Sequence, residues 1–271
     1  MKFSVLMSIY SGDNSRFLSN ALDSIINQSL VPNEIIIVQD GPIGDELKEV
    51  VNRFVDRYNF IKVVVSKSNV GLGNALKLGM KYCSYDIVAR MDSDDISCYY
   101  RFEKQIKLLQ EDESLSLIGS NIAEFEDNEE NIVAYRKVPS EDYNIKLYAK
   151  KRCPINHVTV MFRKKDIEQV GGYKEWHYNE DYYLWIRLIL RGYKLSNIDE
   201  NLVKVRVGSD MYKRRGGVKY FKSEFKLQKL MKNSGFIDNK IFFGNIIIRL
   251  IIQIILPNNI RSFVFKKFCR E

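Results

Sequence analysis

Short apolar runs alternate with amphipathic stretches through the first hundred residues. Runs rich in Val, Ile and Leu at Phe3–Ile9, Glu34–Gln39, Ile61–Val65 and Asp86–Met91 read as strands. Between them, Arg16–Gln28, Asp45–Tyr58 and Leu72–Cys83 repeat their apolar residues at helical spacing. The strand runs are continuously apolar rather than alternating, as a parallel sheet covered by helices on both faces requires. The pattern predicts a doubly wound α/β sheet, and such sheets bind ligands at the carboxyl ends of their strands. Three polar segments, far apart in sequence, fall at those ends: Ser8-Ile9-Tyr10, Asp40-Gly41-Pro42 and Asp92–Asp95.

The middle of the chain, roughly 112–175, is less regular. Leu115–Ile118 and Val158–Phe162 read as strands, the second preceded by Cys153-Pro154-Ile155-Asn156-His157, and Gly171-Gly172-Tyr173 reads as a turn. A helix then follows, with Asn179 as cap, Glu180 and Asp181 in its first turn, and Leu184, Trp185, Leu188 and Ile189 on one face. Acidic residues there are ordinary dipole-favourable capping, or a general base presented at a helix start. The lone His157 has a structural reading beside a functional one.

Composition narrows the class. A chain of 271 residues is one large domain or one domain with an appendage, and 45% hydrophobic content with 12% aromatics supports a packed core. The four cysteines form no CxxC pair and there are only two histidines, which argues against zinc and against a disulfide framework. Met1-Lys2 leads straight into a strand pattern with no secretory signal, so a cytosolic catalytic domain is expected. The net charge of +8 is uneven: residues 212–271 hold 14 Lys/Arg against 3 Asp/Glu. A basic tail on a slightly acidic body suits a polyanionic surface.

The segment Arg90-Met91-Asp92-Ser93-Asp94-Asp95 carries the sharpest chemistry. Three carboxylates within four residues repel unless a cation neutralises them, and a hard divalent ion with oxygen ligands keeps positions free for phosphate. The plain alternative is a solvated acidic turn capping a helix that starts near Tyr99. Asn69-Val70-Gly71-Leu72-Gly73-Asn74 is a Gly-bearing loop opening a helix, able to turn N–H groups toward a phosphate but lacking both dinucleotide and P-loop spacing.

Taken in order, Ser8-Ile9-Tyr10, Glu34–Gly41, Asn69-x-Gly71-Leu72, Arg90–Ile96, His157, Gly171-Gly172-Tyr173 and Glu180-Asp181-x-x-Leu184-Trp185-x-Arg187 resemble family 2 glycosyltransferases. The resemblance is to bacterial enzymes that build O-antigen and capsule repeat units, and it runs from about residue 3 to about residue 232. It implies a GT-A fold: a Rossmann-like, mostly parallel sheet flanked by helices. It implies a UDP-sugar donor, Mn2+ or Mg2+, inversion at the anomeric carbon, and often a saccharide acceptor on a polyprenyl diphosphate. By position, Asp40 resembles the carboxylate that meets uracil. Ser8, Tyr10, Asn69, Gly71 and Ser93 fall along the nucleotide, and Asp92 lies near ribose and metal. Asp94 matches the metal ligand, with Asp95 its neighbour. Asp181 matches the catalytic base, with Glu180 its competitor. His157 and Trp185 are the candidates on the acceptor side. The chain departs from the family after Gly71: where Arg or Asn is frequent it reads Asn74, Leu76 and Lys77, which leaves donor-phosphate contacts from that helix open.

Arg214 and Arg215, beside Gly216-Gly217, read as an exposed basic turn or as a mobile clamp for diphosphate. Further on, Ile241–Leu256 is apolar except for Asn245, Arg249 and Gln253, which fall at i, i+4 and i+8 as one narrow stripe. At 16 residues with a central Arg it is short for a span, and with the basic-apolar piece 260–270 it reads as an in-plane membrane helix, or else as a packing helix or dimer contact. The expected organisation is a 1–232 GT-A domain with a nucleotide half (1–98), an acceptor half (99–210) and a basic loop (211–220), then an amphipathic tail, 233–271. The expected site of action is the cytoplasmic face of the inner membrane, peripherally bound.

Two rival classes are weaker. A nucleotidyltransferase, or a nucleotide-sugar-binding protein on the same sheet, would want a Gly-rich loop with a basic residue after the first strand. That place reads Tyr10-Ser11-Gly12-Asp13-Asn14-Ser15. A nucleic-acid binder would expose aromatics among the cations of the tail, whereas Ile-rich runs dominate, so no nucleic-acid partner is expected.

Overall fold

The computed structural model describes residues 1–208, 216–257 and 260–261. The alternation of the first hundred residues is realised as β1 (Phe3–Ile9), α1 (Ser15–Ile26), β2 (Glu34–Asp40), α2 (Asp45–Arg57), β3 (Ile61–Ser66), α3 (Leu72–Met80) and β4 (Ile87–Met91). Each helix has a local cause. Asn14 caps α1 by accepting from the N–H groups of Arg16 and Phe17. Leu18, Ala21, Leu22, Ile25 and Ile26 of α1 then turn one stripe to the core. α3 lies close on the sheet because Gly79 has no side chain: a Cβ there would sit 2.3 Å from Leu6.

The second half adds β5 (Ile96–Ser97), α4 (Arg101–Glu111), β6 (Leu115–Phe125), β7 (Ile132–Arg136), α5 (Asp142–Tyr148), a 3-10 turn (His157–Thr159), β8 (Met161–Arg163), α6 (Lys164–Gln169), α7 (Glu180–Leu190) and β9 (Lys194–Arg206). All nine strands form one sheet in the order β3-β2-β1-β4-β8-β6-β9-β5, with β7 paired to β6. The parallel order holds for β3-β2-β1-β4. Beyond β4 the pairing is antiparallel except between β6 and β9. The sheet divides the core into two apolar layers, one around Phe3, Val5 and Phe102 and the other around Leu6, Phe162 and Trp185.

The strands that the sequence pattern left out are the informative ones. β6 was legible only at Leu115–Ile118, yet all eleven of its residues are buried, including Glu124. β9 carries exposed Asp199, Glu200 and Asn201 in mid-strand, and its register shifts where it meets β6 at Ser120–Ile122. A bulged strand with polar residues at the bulge shows neither the continuous nor the alternating pattern.

Two further helices, α8 (Val218–Asn233) and α9 (Asn239–Leu250), complete the described chain, with a wide helical turn at Ile251–Ile255. The polar stripe of α9 faces the body. Asn245 donates to the Lys150 carbonyl and to Gln228, both at 2.8 Å. Arg249 pairs with the buried Glu224 of α8 and donates to the Lys151 carbonyl at 2.9 Å. Gln253 is buried, and its carbonyl accepts from Gly217. Among the described residues, no helix is long and apolar enough to cross a membrane.

Candidate active site

The carboxyl ends of β1, β2 and β4 lie side by side, since Met7 is in register with Met91 and Ile9 with Gln39. After β1 the chain makes a tight turn in which Tyr10 and Asp13 exchange hydrogen bonds, at 3.0 Å to the Asp13 carboxylate and 3.1 Å to the Tyr10 carbonyl. The Tyr10 ring is exposed and lies over Gly12. After β2, Asp40 is nearly buried, and its two oxygens accept from the backbone of Val70 at 2.7 Å and Gly71 at 3.1 Å. Asp40 therefore holds the 69–71 loop against the strand end. Gly71 has φ +84°, and a Cβ there would lie 2.8 Å from the Glu175 carboxylate, so this close approach needs glycine. Asn69 accepts from the Gly71 N–H at 3.3 Å within the same loop.

At the end of β4 the three acidic residues have three different environments. The buried guanidinium of Arg90 clasps the Asp92 carboxylate with two nitrogens. Asp95 is 3% exposed, and its carboxylate accepts from the Arg206 backbone at 2.8 Å, tying β4 to the end of β9. Asp95 is thus the most buried of the three carboxylates of the motif. Asp94 is exposed and has no ion pair among the described residues. Partial burial, then the charges of Asp92 and Asp13, push its carboxyl up to about 6. Burial and Asp92 likewise push Asp13 up to about 6, against the Tyr10 N–H and the Ser93 hydroxyl, which favour the charged form. Ser93 is buried beneath this pair.

Beneath the motif, Arg101 is fully buried. It donates to the Arg90 carbonyl at 2.7 Å and to Gln105 at 3.1 Å, and burial and the Arg90 charge push its pKa down to about 9. Beside the motif, the Arg206 guanidinium lies 3.7 Å from the Phe17 ring centre and 4.5 Å from that of Phe125. Asp13, Arg101 and Arg206 were not singled out from sequence. Asp13 carried a signal in being the nearest carboxylate after a strand end. The two arginines carried none, since their roles depend on long-range pairing.

The second acidic pair opens α7. Burial, then the neighbouring Asp181, push Glu180 up to about 8. Burial also raises Asp181, whose oxygens accept from the Tyr182 N–H at 2.7 Å and face the Cys153 thiol at 3.6 Å. Arg136 and Arg90 are the charges that favour its ionised form. Arg90 contacts Asp92 directly, and its charge also favours the ionised forms of Asp94, Glu180 and Asp181.

His157 is part of this core. Its Nε2 lies 3.0 Å from the Tyr173 hydroxyl, and burial and Arg90 hold its pKa well below the usual value, so the ring is neutral. Trp185 is fully buried and meets His157 edge-on at 5.8 Å. An acceptor cannot reach a side chain with no exposed surface, so the acceptor role expected of Trp185 is corrected to a packing role. Arg214 and Arg215 lie outside the described residues. A groove of about 410 Å³ lined by Leu108, Asp112 and Lys194 touches none of these groups.

No three His, Cys, Asp or Glu side chains converge as a complete metal cage among the described residues. The donor set still fits a divalent ion, because Asp94 and Asp13 carry mutual repulsion that a cation would relieve. Mg2+ in phosphate-transfer sites is bound through one or two carboxylates plus the substrate's phosphates rather than by a full protein cage.

Comparison with known proteins agrees with this geometry. The Glycosyl transferase family 2 model matches residues 4–170. The chain is 39% identical over 270 residues to an Escherichia coli UDP-Gal:alpha-D-GlcNAc-diphosphoundecaprenol beta-1,3-galactosyltransferase, covering 100% of this chain and 97% of that one. It is 36% identical over 268 residues to the amylovoran biosynthesis glycosyltransferase AmsE of Erwinia amylovora, covering 98% of each. Among solved structures, S. aureus TarS in complex with UDP-GlcNAc superposes with a TM-score of 0.68 at 16% identity, over 93% of this chain and 73% of that one. The Pyrobaculum calidifontis mannosyltransferase PcManGT with GDP-Man and Mn2+ gives 0.67 at 14% identity, over 96% and 71%. These folds are of the GT-A type expected from sequence. With strand ends, acidic motif and relatives in agreement, the chain belongs to glycosyl transferase family 2 and is a glycosyltransferase.

Proposed function

We propose that the chain transfers a hexose, with inversion and with a divalent metal, from a UDP-sugar to a saccharide carried on a polyprenyl diphosphate, during assembly of a bacterial surface polysaccharide. One observation carries the reading: at the end of β4 an exposed Asp94 stands beside Asp92, which the buried Arg90 clasps, and a second acidic pair, Glu180 and Asp181, opens α7. The relatives' names supply the substrate classes, UDP-galactose and a diphosphoundecaprenol-linked sugar in the E. coli enzyme.

The donor side is built from β1, β2 and β4. Tyr10 offers an exposed ring for a base, Asp40 fixes the 69–71 loop beside it, and Ser8 sits half-buried at the strand end between them. Asp94 and Asp92 are the residues that would hold Mn2+ or Mg2+, and such an ion neutralises the charge growing on the departing diphosphate. Arg90 orients Asp92 by donating to both of its carboxylate oxygens. Arg214 and Arg215 remain candidates for the diphosphate on sequence alone.

On the acceptor side a carboxylate must take the hydroxyl proton as that oxygen attacks. Asp181 suits this role better than Glu180. Two crowded carboxyls resist ionising together, so the pair favours one charge. Hydrogen bonds from Tyr182 and Cys153, and the nearby Arg136, favour that charge on Asp181. Glu180 then holds the proton and withholds a second negative charge from the site. On this reading the protein acts at the cytoplasmic face of the inner membrane, bound peripherally, and the diphosphoundecaprenol-linked acceptor named for the E. coli relative supports a membrane-borne substrate.

Calorimetric titration with UDP, first with Mn2+ and then with chelator, tests the reading. The expected result is binding that weakens at least about tenfold when the metal is removed, as loss of a metal-phosphate contact requires. Absence of UDP binding under both conditions sinks the donor assignment.

A further inference from the structure

An amphipathic helix on a soluble body turns its polar side out. α9 and the turn after it do the reverse. Of their one polar stripe, Asn245 and Arg249 are consumed by contacts to the Lys150 and Lys151 carbonyls, Gln228 and Glu224, and Gln253 is turned inward and buried. Arg261 closes the far end by donating to the carbonyls of Ile252, Gln253 and Leu256. The opposite side is left as Phe243, Ile247, Ile248, Ile251 and Ile255, each between 42 and 63% exposed. A contiguous apolar face of this kind on an otherwise polar surface marks an interaction site.

Charge identifies the occupant. Residues 216–257 hold seven Lys/Arg and two Asp/Glu. One acid, Glu224, is buried against Arg249, and the other, Asp238, caps α9 by accepting from Ile241. The exposed charge of α8 and α9 is therefore mainly positive, with Lys222, Lys229 and Lys240 exposed and Asp238 the one exposed acid of the segment. Lys232 sits over the rings of Phe242 and Phe243 at 5.1 and 5.7 Å. A second copy meeting this face about a two-fold axis would set like-charged rims against each other. A bilayer with anionic headgroups accepts both the apolar side chains and the lysine rim.

We propose that the outer face of α9 and the Ile251–Ile255 turn is a rigid foot that rests in an anionic bilayer. The proposal deepens the function proposed above by naming the surface through which the enzyme meets its lipid-borne acceptor. The foot is coupled to the chemistry by a short path. Arg249 and Asn245 grip the backbone at 150–151, and two residues further Cys153 faces Asp181. α8 lies between them, with Ser223 bonded to Asn179 at the start of α7. Clamping the helix by its polar stripe fixes the height of Asp181 above the lipid plane, where a flexible anchor would leave it free.

Flotation of the full-length protein with vesicles of 3:1 phosphatidylethanolamine and phosphatidylglycerol, and with phosphatidylcholine vesicles, tests this. The wild type should float with the anionic vesicles and less with the neutral ones. The triple variant Ile247→Ser/Ile251→Ser/Ile255→Ser should lose about 100-fold in partition, by the hydrophobic area removed. Its UDP binding and circular dichroism should not change. Equal flotation of variant and wild type overturns the proposal, as does a wild type that ignores both vesicles. A wild-type dimer that becomes monomeric in the variant, without vesicle binding, assigns the face to a second copy and also overturns it. UDP binding is read separately, so a failed donor site and a failed foot give different results.

Discussion

The two acidic clusters look alike in sequence and differ in the fold. At the end of β4, Asp92 has Arg90, Asp95 has the Arg206 backbone, Asp13 has the Tyr10 N–H, and Asp94 has no ion pair among the described residues. At the start of α7, Glu180 and Asp181 have burial, each other, and hydrogen bonds that single out one of the two. The first cluster is exposed at Asp94, where an ion and a diphosphate can enter together. The second is half-buried at the start of α7, beside Cys153 and next to the Asn179–Ser223 contact with α8. The two clusters differ in the accessibility of the charge more than in the number of carboxylates.

The comparison breaks most sharply at Asp94. Asp94→Ala should lower transfer by about 10³-fold or more, since a metal's stabilisation of a leaving diphosphate contributes several kcal/mol. The fold should be unaffected, because Asp94 makes no ion pair among the described residues and its removal relieves repulsion on Asp92 and Asp13. Mn2+ binding followed by electron paramagnetic resonance should disappear with the activity. A variant that transfers sugar at the wild-type rate, or that still binds Mn2+ with wild-type affinity, removes Asp94 from the metal site.

Second in size is the base. Asp181→Asn should cost about 10²- to 10⁴-fold in kcat, the usual worth of general base catalysis, with UDP affinity retained. Glu180→Gln should cost far less, because glutamine reproduces the protonated Glu180 that the fold favours. Steady-state kinetics of the two variants decide the matter, and a reversed order assigns the base to Glu180.

Much of the donor side was legible in the sequence because it is local. Strand runs β1 to β4, the helices between them, and the polar segments at strand ends follow from side-chain period and from the rule that sheets bind at their carboxyl ends. The remainder depends on contacts that span the chain. Asp95 is tied by its carboxylate to the backbone of a strand 111 residues away. Trp185 reads as a motif residue, but the 3-10 turn at His157 buries it. The stripe Asn245, Arg249 and Gln253 was visible as a pattern, yet which side it turned to water depended on the carbonyls at 150–151 and on Glu224. Periodicity defines the faces of a helix, and tertiary partners decide which face is outside.

The smallest effect discriminates the clusters by pH rather than by rate. Glu180 has a folded pKa of about 8, above the ordinary unfolded value near 4.3. Between those values the folded protein holds a proton that the unfolded chain has lost. The slope of unfolding free energy with pH is proportional to bound protons in the unfolded state minus those in the native state, so it is negative there. The stabilisation linked to this proton is fully present below about pH 4 and is lost as pH rises through about 8. Glu180→Gln removes the titration, so its stability relative to wild type should climb across this window. The gain should reach about 1–2 kcal/mol at pH 8 after allowance for screening of a half-buried group. Thermal unfolding of both proteins from pH 5 to pH 8.5 measures it. Parallel curves would mean that Glu180 is ionised throughout, and the pair at α7 would then resemble the cluster at β4, with a need for a cation instead of a proton.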